Sequence, residues 1–326
     1  MKVIGGYFGL EPYSRSIMPP WIDECIQVQS GRMALLLEIT KRMPKIIWLP
    51  YYYCDAVSCL LKKSGYSVDY YTLREDFSIV MPHQFSSEDL LVFVDYFGIS
   101  GDSVRRDINS LGLADNAVVD ACMSLWFDID RDVPIFYSPR KFIGVPDGGW
   151  LRNSKVSLNL AREKMPISQI REAHLHSRAG GNLEKGRDEF TTAEKSFNDD
   201  LSPNCMSATT KKMISSVDFD GVFNKRISNY TYLKSGLESV GLNCPEIPSG
   251  ACPLCCPVKY SDAANLKMVL MTEQIYCPHY WPDIVVPSYD KKSLELLNKT
   301  LFLPIDHRYT SNDMDKIIQV IEGAIK

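Results

Sequence analysis

Lys141 stands in the run Phe136-Tyr-Ser-Pro-Arg-Lys-Phe-Ile-Gly-Val-Pro-Asp-Gly-Gly-Trp150, where residue types and spacing suit covalent chemistry at an amine. A lysine that bonds an aldehyde must first shed its proton, which burial or a neighbouring positive charge promotes. Ser138 precedes it by three residues and offers a hydroxyl for a tethering phosphate. Gly148 and Gly149 follow it and let the backbone turn tightly beside a ligand.

A carboxylate lies upstream. Asn116-Ala-Val-Val-Asp-Ala121 reads as a buried strand that ends at Asp120, and open α/β sheets place ligand contacts at the carboxyl ends of parallel strands. Two readings stand for Asp120. It caps the next helix, or it faces the pyridine nitrogen of pyridoxal phosphate and keeps it protonated so that the ring accepts electrons. Lys141 downstream favours the second. Further upstream, Gln29-Ser-Gly-Arg-Met-Ala-Leu-Leu-Leu37 puts Ser30-Gly31 directly before a helix with Met33, Leu36, Leu37 and Ile39 on its apolar face. Ser30 suits an N-cap, and the free N–H groups there suit a phosphate, with Arg32 adding charge. A plain capped helix explains the same residues.

The elements that must position these groups are legible as an alternation. Short apolar runs bounded by turn residues predict strands at Lys45–Leu49, Ser67–Tyr71, Leu90–Asp95 and Ala117–Val119, with Pro134–Tyr137 and Gly149–Arg152 bracketing Lys141. Helices are expected to start near Arg32, Asp55 and Asp102. Such alternation implies an α/β fold with a mainly parallel sheet, right-handed crossovers and helices on its faces. The first twenty or so residues read as an irregular arm, and Lys155 to about Ser215 as polar and helical, with a loop at Arg178-Ala-Gly-Gly-Asn-Leu183. Val217–Val240 reads as a long helix leading out of the large domain. Cys252–Lys259, a helix from Ser261, and Leu301–Lys326 suit a smaller α+β domain. The expected division is 1–218 for the arm and large domain and 219–326 for the small one.

Bulk properties narrow the function. The chain has 326 residues, 45% of them hydrophobic, enough for a large core. Its net charge of −4, without a basic cluster, argues against nucleic acid as the main partner. No apolar run reaches membrane-spanning length, and the N-terminus lacks a signal-peptide plan, so a soluble cytoplasmic protein is expected. The ten cysteines lie largely in apolar contexts that suit reduced, buried thiols. Cys252 and Cys255 form one C-x-x-C, half of what a zinc site requires.

Taken in order, these residues resemble the DegT-type sugar aminotransferase family of fold type I pyridoxal-phosphate enzymes. Ser30-Gly31 is similar to the family's phosphate turn, and Leu49-Pro-Tyr-Tyr-Tyr-Cys-Asp55 with Gly65 to its Pro-containing strand end and helix. Val94-Asp-Tyr-Phe-Gly98 resembles its aromatic-Gly turn, and Val119-Asp-Ala-Cys122 its Glu-Asp-Ala-Ala segment. Lys141 with Gly148-Gly149 resembles the cofactor-bonding lysine and its glycine pair. Phe302-Leu-Pro-Ile-Asp306 and Asn312-Asp-Met-Asp-Lys-Ile-Ile318 resemble the closing strand and last helix. There are departures. Met123 stands where the family usually has Gln or His, Arg32 where it has Thr, and its Gly-x-Asn stretch is not recognisable between Arg162 and Arg226.

The resemblance implies a homodimeric aminotransferase with pyridoxal phosphate, taking an amine from a small-molecule donor to a keto-sugar linked to a nucleotide, in polysaccharide or related sugar biosynthesis. It implies Lys141 as the bonding and proton-moving group, Asp120 as the ring partner, and Ser30, Gly31, Arg32 and Ser138 as phosphate ligands. Tyr52, of the three successive tyrosines, is the expected ring-stacking residue. His279, within Tyr276-Cys-Pro-His-Tyr-Trp-Pro282, is expected to line the substrate entrance, with Arg140 pairing a cofactor or substrate phosphate or lying in solvent. Two other outcomes are compatible with the residues: a different carbanion reaction of the same cofactor, such as dehydration, or a former enzyme serving as a binding or regulatory protein.

Overall fold

The computed structural model describes all residues except 1, 13, 15–17, 131, 157–164 and 202, and for 165 and 166 the backbone alone. The described chain runs β1 (Ile4–Gly5), β2 (Ile26–Val28), α1 (Gly31–Arg42), β3 (Ile47–Pro50), α2 (Asp55–Lys63), β4 (Val68–Tyr71) and β5 (Leu90–Val94). It continues through α3 (Gly101–Ser110), β6 (Ala117–Asp120), β7 (Ile135–Tyr137), β8 (Gly149–Arg152), α4 (Met165–Ala179), α5 (Leu183–Asp199), α6 (Ala208–Ile214) and α7 (Phe219–Ser239). The last part holds β9 (Cys255–Lys259), α8 (Ala263–Thr272), β10 (Ile275–Tyr276), α9 (Lys291–Asn298), β11 (Thr300–Pro304) and α10 (Ser311–Ile325).

Seven strands form one sheet in the order β2-β8-β7-β6-β5-β3-β4. The five strands from β4 to β7 are mutually parallel, and β8 runs antiparallel to both β7 and β2. The expected mixed, mainly parallel α/β sheet is present. Its central strands are apolar on both faces: Leu90-Leu-Val-Phe-Val94 and Ala117-Val-Val-Asp120 are buried throughout, as strands covered on both sides require. The three-residue β2, squeezed between a 3-10 turn at Pro20–Ile22 and Ser30, was too short to stand out as a strand in the sequence.

Register places the chemistry. Val94 pairs with Asp120 across β5 and β6, and Asp120 with Phe136 across β6 and β7. Asp120 and Ser138, which follows β7, therefore lie at neighbouring carboxyl ends. The polar stretch after Lys155 forms a helical hairpin, α4 and α5, turning at Gly180–Asn182; the part of that expectation at 157–164 lies outside the described residues.

A second core lies beyond the sheet. Tyr230, Leu233 and Leu237 of α7 pack there with Val258, Leu266, Leu303 and Ile317, whereas Phe219 and Val222 at the start of α7 belong to the core around the sheet. The antiparallel pair β9 and β11, flanked by α8 and α10, forms the smaller α+β part. Ile4 joins this second core, because β1 pairs with β10. The start of the arm is thus ordered against the C-terminal part, a long-range pairing that its Gly- and Pro-rich sequence hides. No described helix is long and apolar enough to cross a membrane.

Candidate active site

Asp120 is 6% exposed and does not cap a helix. Its Oδ1 accepts from the Cys122 N–H at 2.8 Å and its Oδ2 from the Tyr53 hydroxyl at 2.6 Å. Tyr53 is buried, and burial, reinforced by the Asp120 charge, pushes its hydroxyl well above the usual tyrosine range. It therefore remains a neutral donor at every physiological pH.

The start of α1 closes over this strand end. Ser30 is the N-cap and accepts from the Met33 N–H at 3.4 Å. Gly31 is needed for space: a Cβ there would lie 2.5 Å from the Cys122 sulfur and 3.6 Å from the Ser138 Cβ. The helix N-terminus, the end of β6 and the end of β7 thus meet at one point, and the unbonded N–H groups of the first turn suit an anion. The Ser138 hydroxyl has no hydrogen-bond partner among the described residues and is free to join them. Gly148 and Gly149 serve the same point from behind. The Gly148 N–H donates to the Gln29 carbonyl at 2.8 Å, and a Cβ on Gly149 would overlap the Ser30 carbonyl group and lie 2.6 Å from the Gly31 nitrogen. The glycine pair packs on the Ser30-Gly31 turn, a more specific demand than loop freedom.

Lys141 ends a 3-10 turn, Pro139–Lys141, that Ser138 begins, and it is half-buried. No carboxylate among the described residues pairs with it. Its charge is felt by the thiols of Cys54 and Cys122, and Cys122 also feels Asp120. Burial raises both thiols, so they stay protonated and do not neutralise the lysine. The structure thus gathers Lys141, Asp120, Ser30, Gly31 and Ser138 around Cys122. Arg32, in the first turn of α1, hydrogen-bonds Asn198 of α5 and acts electrostatically on the same Cys54 thiol as Lys141.

Lys141 also opens onto a cavity of about 390 Å³ between the two cores. Its walls are largely apolar, with Tyr7, Phe190, Tyr280 and Phe302 prominent, and its charged groups are Arg140, Lys141, Arg226, Arg308 and Asp306. Ser30, Asp120 and Ser138 do not line it, so Lys141 is where the strand-end cradle and the cavity meet. Arg140 is neither solvent-borne nor free. It pairs with Glu194 of α5 and stacks over Phe197 with 4.2 Å to the ring centre. His174 of α4 faces the cavity, 3% exposed, and burial with Arg140 nearby drops its imidazole to about 4, leaving it neutral.

Two expectations sit differently. Tyr52 is fully buried, edge-on to Trp281 at 5.0 Å and tilted against Tyr96, so it presents no face for a flat ring to stack on. Tyr53, the next residue, is the one that reaches the site. His279 is exposed and tied by its Nε2 to the Leu297 carbonyl at 2.9 Å; its neighbours Pro278 and Tyr280 line the cavity and it does not. Met123 is buried in the core around the sheet. Sequence reasoning missed Tyr53, His174 and Arg226, the last because an arginine inside a long helix reads as part of a solvated face.

No protein-family model matches the chain, and no curated protein matches its sequence significantly. Solved structures match its fold. A DegT DnrJ EryC1 StrS aminotransferase from Brucella abortus is 16% identical with a TM-score of 0.59, over 95% of this chain and 91% of that one. The sugar aminotransferase CalS13 from Micromonospora echinospora is 12% identical with a TM-score of 0.62, over 96% and 100%. DesI, solved in the presence of its TDP-sugar product, is 13% identical with a TM-score of 0.59, over 95% and 86%. Nearly end to end, then, this chain is built on the fold of the DegT-type aminotransferases.

Proposed function

We propose that this chain is a pyridoxal-phosphate-dependent aminotransferase that passes an amine from a small-molecule donor to a keto-sugar, itself linked to a nucleotide. The observation that carries the reading is the convergence of Asp120, Lys141, Ser138 and the N-terminus of α1 at neighbouring strand ends, in a fold shared with sugar aminotransferases. The nucleotide-linked acceptor is supported by the TDP-sugar product named for DesI. A cytoplasmic homodimer in sugar or polysaccharide biosynthesis completes the proposal and rests on the motif resemblance.

The residues present fit the cofactor. Asp120 is a buried carboxylate that accepts from the Tyr53 hydroxyl and the Cys122 N–H, and a carboxylate is the group a protonated ring nitrogen needs opposite it. Ser30, Gly31 and Ser138 supply an N-terminal helix turn and a free hydroxyl for a phosphate, with Arg32 adding charge. When bound, pyridoxal phosphate supplies an aldehyde for an amine and a ring that withdraws electrons from the amine-bearing carbon. Lys141 Nζ would hold the group by its aldehyde carbon, with water as the leaving group. With its amine free, Lys141 would be the base that carries a proton between the amine-bearing carbon and the cofactor's former aldehyde carbon.

The test is direct. Purified protein supplied with pyridoxal phosphate turns yellow, and borohydride fixes the cofactor to the peptide carrying Lys141. In a separate, unreduced sample glutamate bleaches the yellow band toward the pyridoxamine form. Colourless protein that takes up no cofactor overturns the proposal in favour of a binding protein. A yellow protein unmoved by every amino donor overturns the transaminase assignment in favour of another carbanion reaction.

A further inference from the structure

A cation in the cavity beside Lys141 lacks a full counter-charge. Arg308 pairs through two nitrogens with Asp306, and Arg140 pairs with Glu194. Arg226, 1% exposed, contacts no carboxylate among the described residues. It donates to the Leu254 carbonyl at 3.0 Å and the Phe142 carbonyl at 3.2 Å, and its Nε has no partner among the described residues. Asp306 acts on it only at a distance, opposed by Arg308. Arg226 and Arg308 therefore both draw on Asp306, with Glu11 acting on Arg308 as well. A buried cation left this way is costly unless an anion arrives.

A second buried polar group points the same way. His174 lines the cavity, and its Nδ1 has no hydrogen-bond partner among the described residues. Tyr7 and Phe190 hold the imidazole edge-on at 5.9 and 5.3 Å, so it cannot swing away to find one. The remaining walls are aromatic and aliphatic. The volume falls at the low end of the range of about 300–1,000 Å³ typical of ligand cavities and holds a single ring with its substituents.

We infer that this cavity binds a carboxylate on Arg226, and that the acceptor is a keto-sugar whose ring carries that carboxylate, a uronate-type ring. The inference rests on the aminotransferase reading and narrows it. The ring lies between aromatic walls, its anion meets Arg226, its hydroxyls reach the neutral imidazole of His174, and its keto carbon faces Lys141. Loss of one charge-assisted hydrogen bond at such a site costs about tenfold to a hundredfold in affinity.

The experiment is calorimetric titration of the cofactor-loaded protein with sodium glucuronate, glucose and glutarate, in wild type, Arg226→Met and Arg226→Lys. Wild type binds glucuronate at least about tenfold tighter than glucose. The preference disappears in Arg226→Met and is partly kept in Arg226→Lys. Equal affinity for glucuronate and glucose in wild type overturns the inference, whatever the folding of the variants. Tight binding of glutarate with none of glucuronate overturns the acceptor assignment and gives the carboxylate site to the amino donor. Failure of the aminotransferase reading shows separately, as protein that takes up no cofactor, in which the same titrations still report the carboxylate preference.

Discussion

Gly149→Ala strikes the active site without touching any group proposed for chemistry. The added Cβ would overlap the Ser30 carbonyl group and sit 2.6 Å from the Gly31 nitrogen. These are backbone atoms, so no side chain can swing aside. Restoring an ordinary separation of about 3.5 Å moves the Ser30-Gly31 turn by on the order of 1 Å relative to β8. Val28 and Gly149 are register partners, so the strain falls on the β2–β8 pairing and on the N-terminus of α1 together. Overpacking of this kind costs about 1–3 kcal/mol, and displacing binding groups by about 1 Å costs on the order of a hundredfold in rate. The assay is urea unfolding alongside titration of cofactor-free protein with pyridoxal phosphate, read as the yellow absorbance. Gly323→Ala in α10 is the control. Open space surrounds Gly323, so its replacement stabilises by roughly 0.5–1 kcal/mol and leaves cofactor uptake unchanged. If Gly149→Ala binds the cofactor like wild type and unfolds at the same urea concentration, the glycine pair does not set the phosphate turn and the reasoning is refuted.

Two further outcomes follow from buried polar groups. Tyr53→Phe removes the 2.6 Å hydrogen bond to Asp120 and leaves a buried carboxylate with Cys122 as its remaining partner among the described residues. It costs about 2 kcal/mol of stability by urea unfolding and weakens cofactor uptake; an unchanged midpoint would mean that water replaces the hydroxyl without penalty. Asp95, wholly buried beyond the end of β5, is pushed by burial up to about 6, against the hydrogen bonds it accepts from Ser100. Its folded value lies above the unfolded one, so the folded state holds the extra proton between about pH 4 and 6, and stability from this group falls as pH rises through that window. Asp95→Asn removes the slope. Its stability relative to wild type rises by about 3 kcal/mol from pH 4 to pH 7, and a pH-independent difference would show that Asp95 titrates normally.

How far the sequence reached depended on whether the cause was local. Leu90-Leu-Val-Phe-Val94 announces a strand buried on both faces because every residue in it is apolar, and Asp120 stands out because it ends such a run. Ser30 announces a cap because the hydroxyl and the N–H it accepts are three residues apart. The glycine pair at 148 and 149 was legible as unusual, but its reason, contact with Ser30 and Gly31, spans more than a hundred residues of chain and exists only once β2 lies beside β8. Among Tyr51, Tyr52 and Tyr53 the sequence offers no way to choose. The turn after β3 sends Tyr52 under Trp281 and Tyr53 to Asp120, and both partners come from distant segments. Arg226 was invisible for a similar reason. Its partners, Phe142 and Leu254, are carbonyls from two other parts of the chain, and backbone carbonyls leave no mark on a sequence.

That same arginine gives the site its mechanical character. One of its nitrogens holds the carbonyl of Phe142, the residue directly after Lys141, and another holds the carbonyl of Leu254, next to β9. The proposed reactive lysine and the smaller α+β part are thus joined through one planar, always-charged group whose five donors are fixed relative to one another. An anion that takes up the unpartnered Nε adds a third anchor to a guanidinium already fixed at two. The cradle at the strand ends and the cavity between the cores share no wall residue except Lys141 among those proposed to hold the cofactor. Arg226 is therefore a physical link between the turn that carries Lys141 and the smaller α+β part.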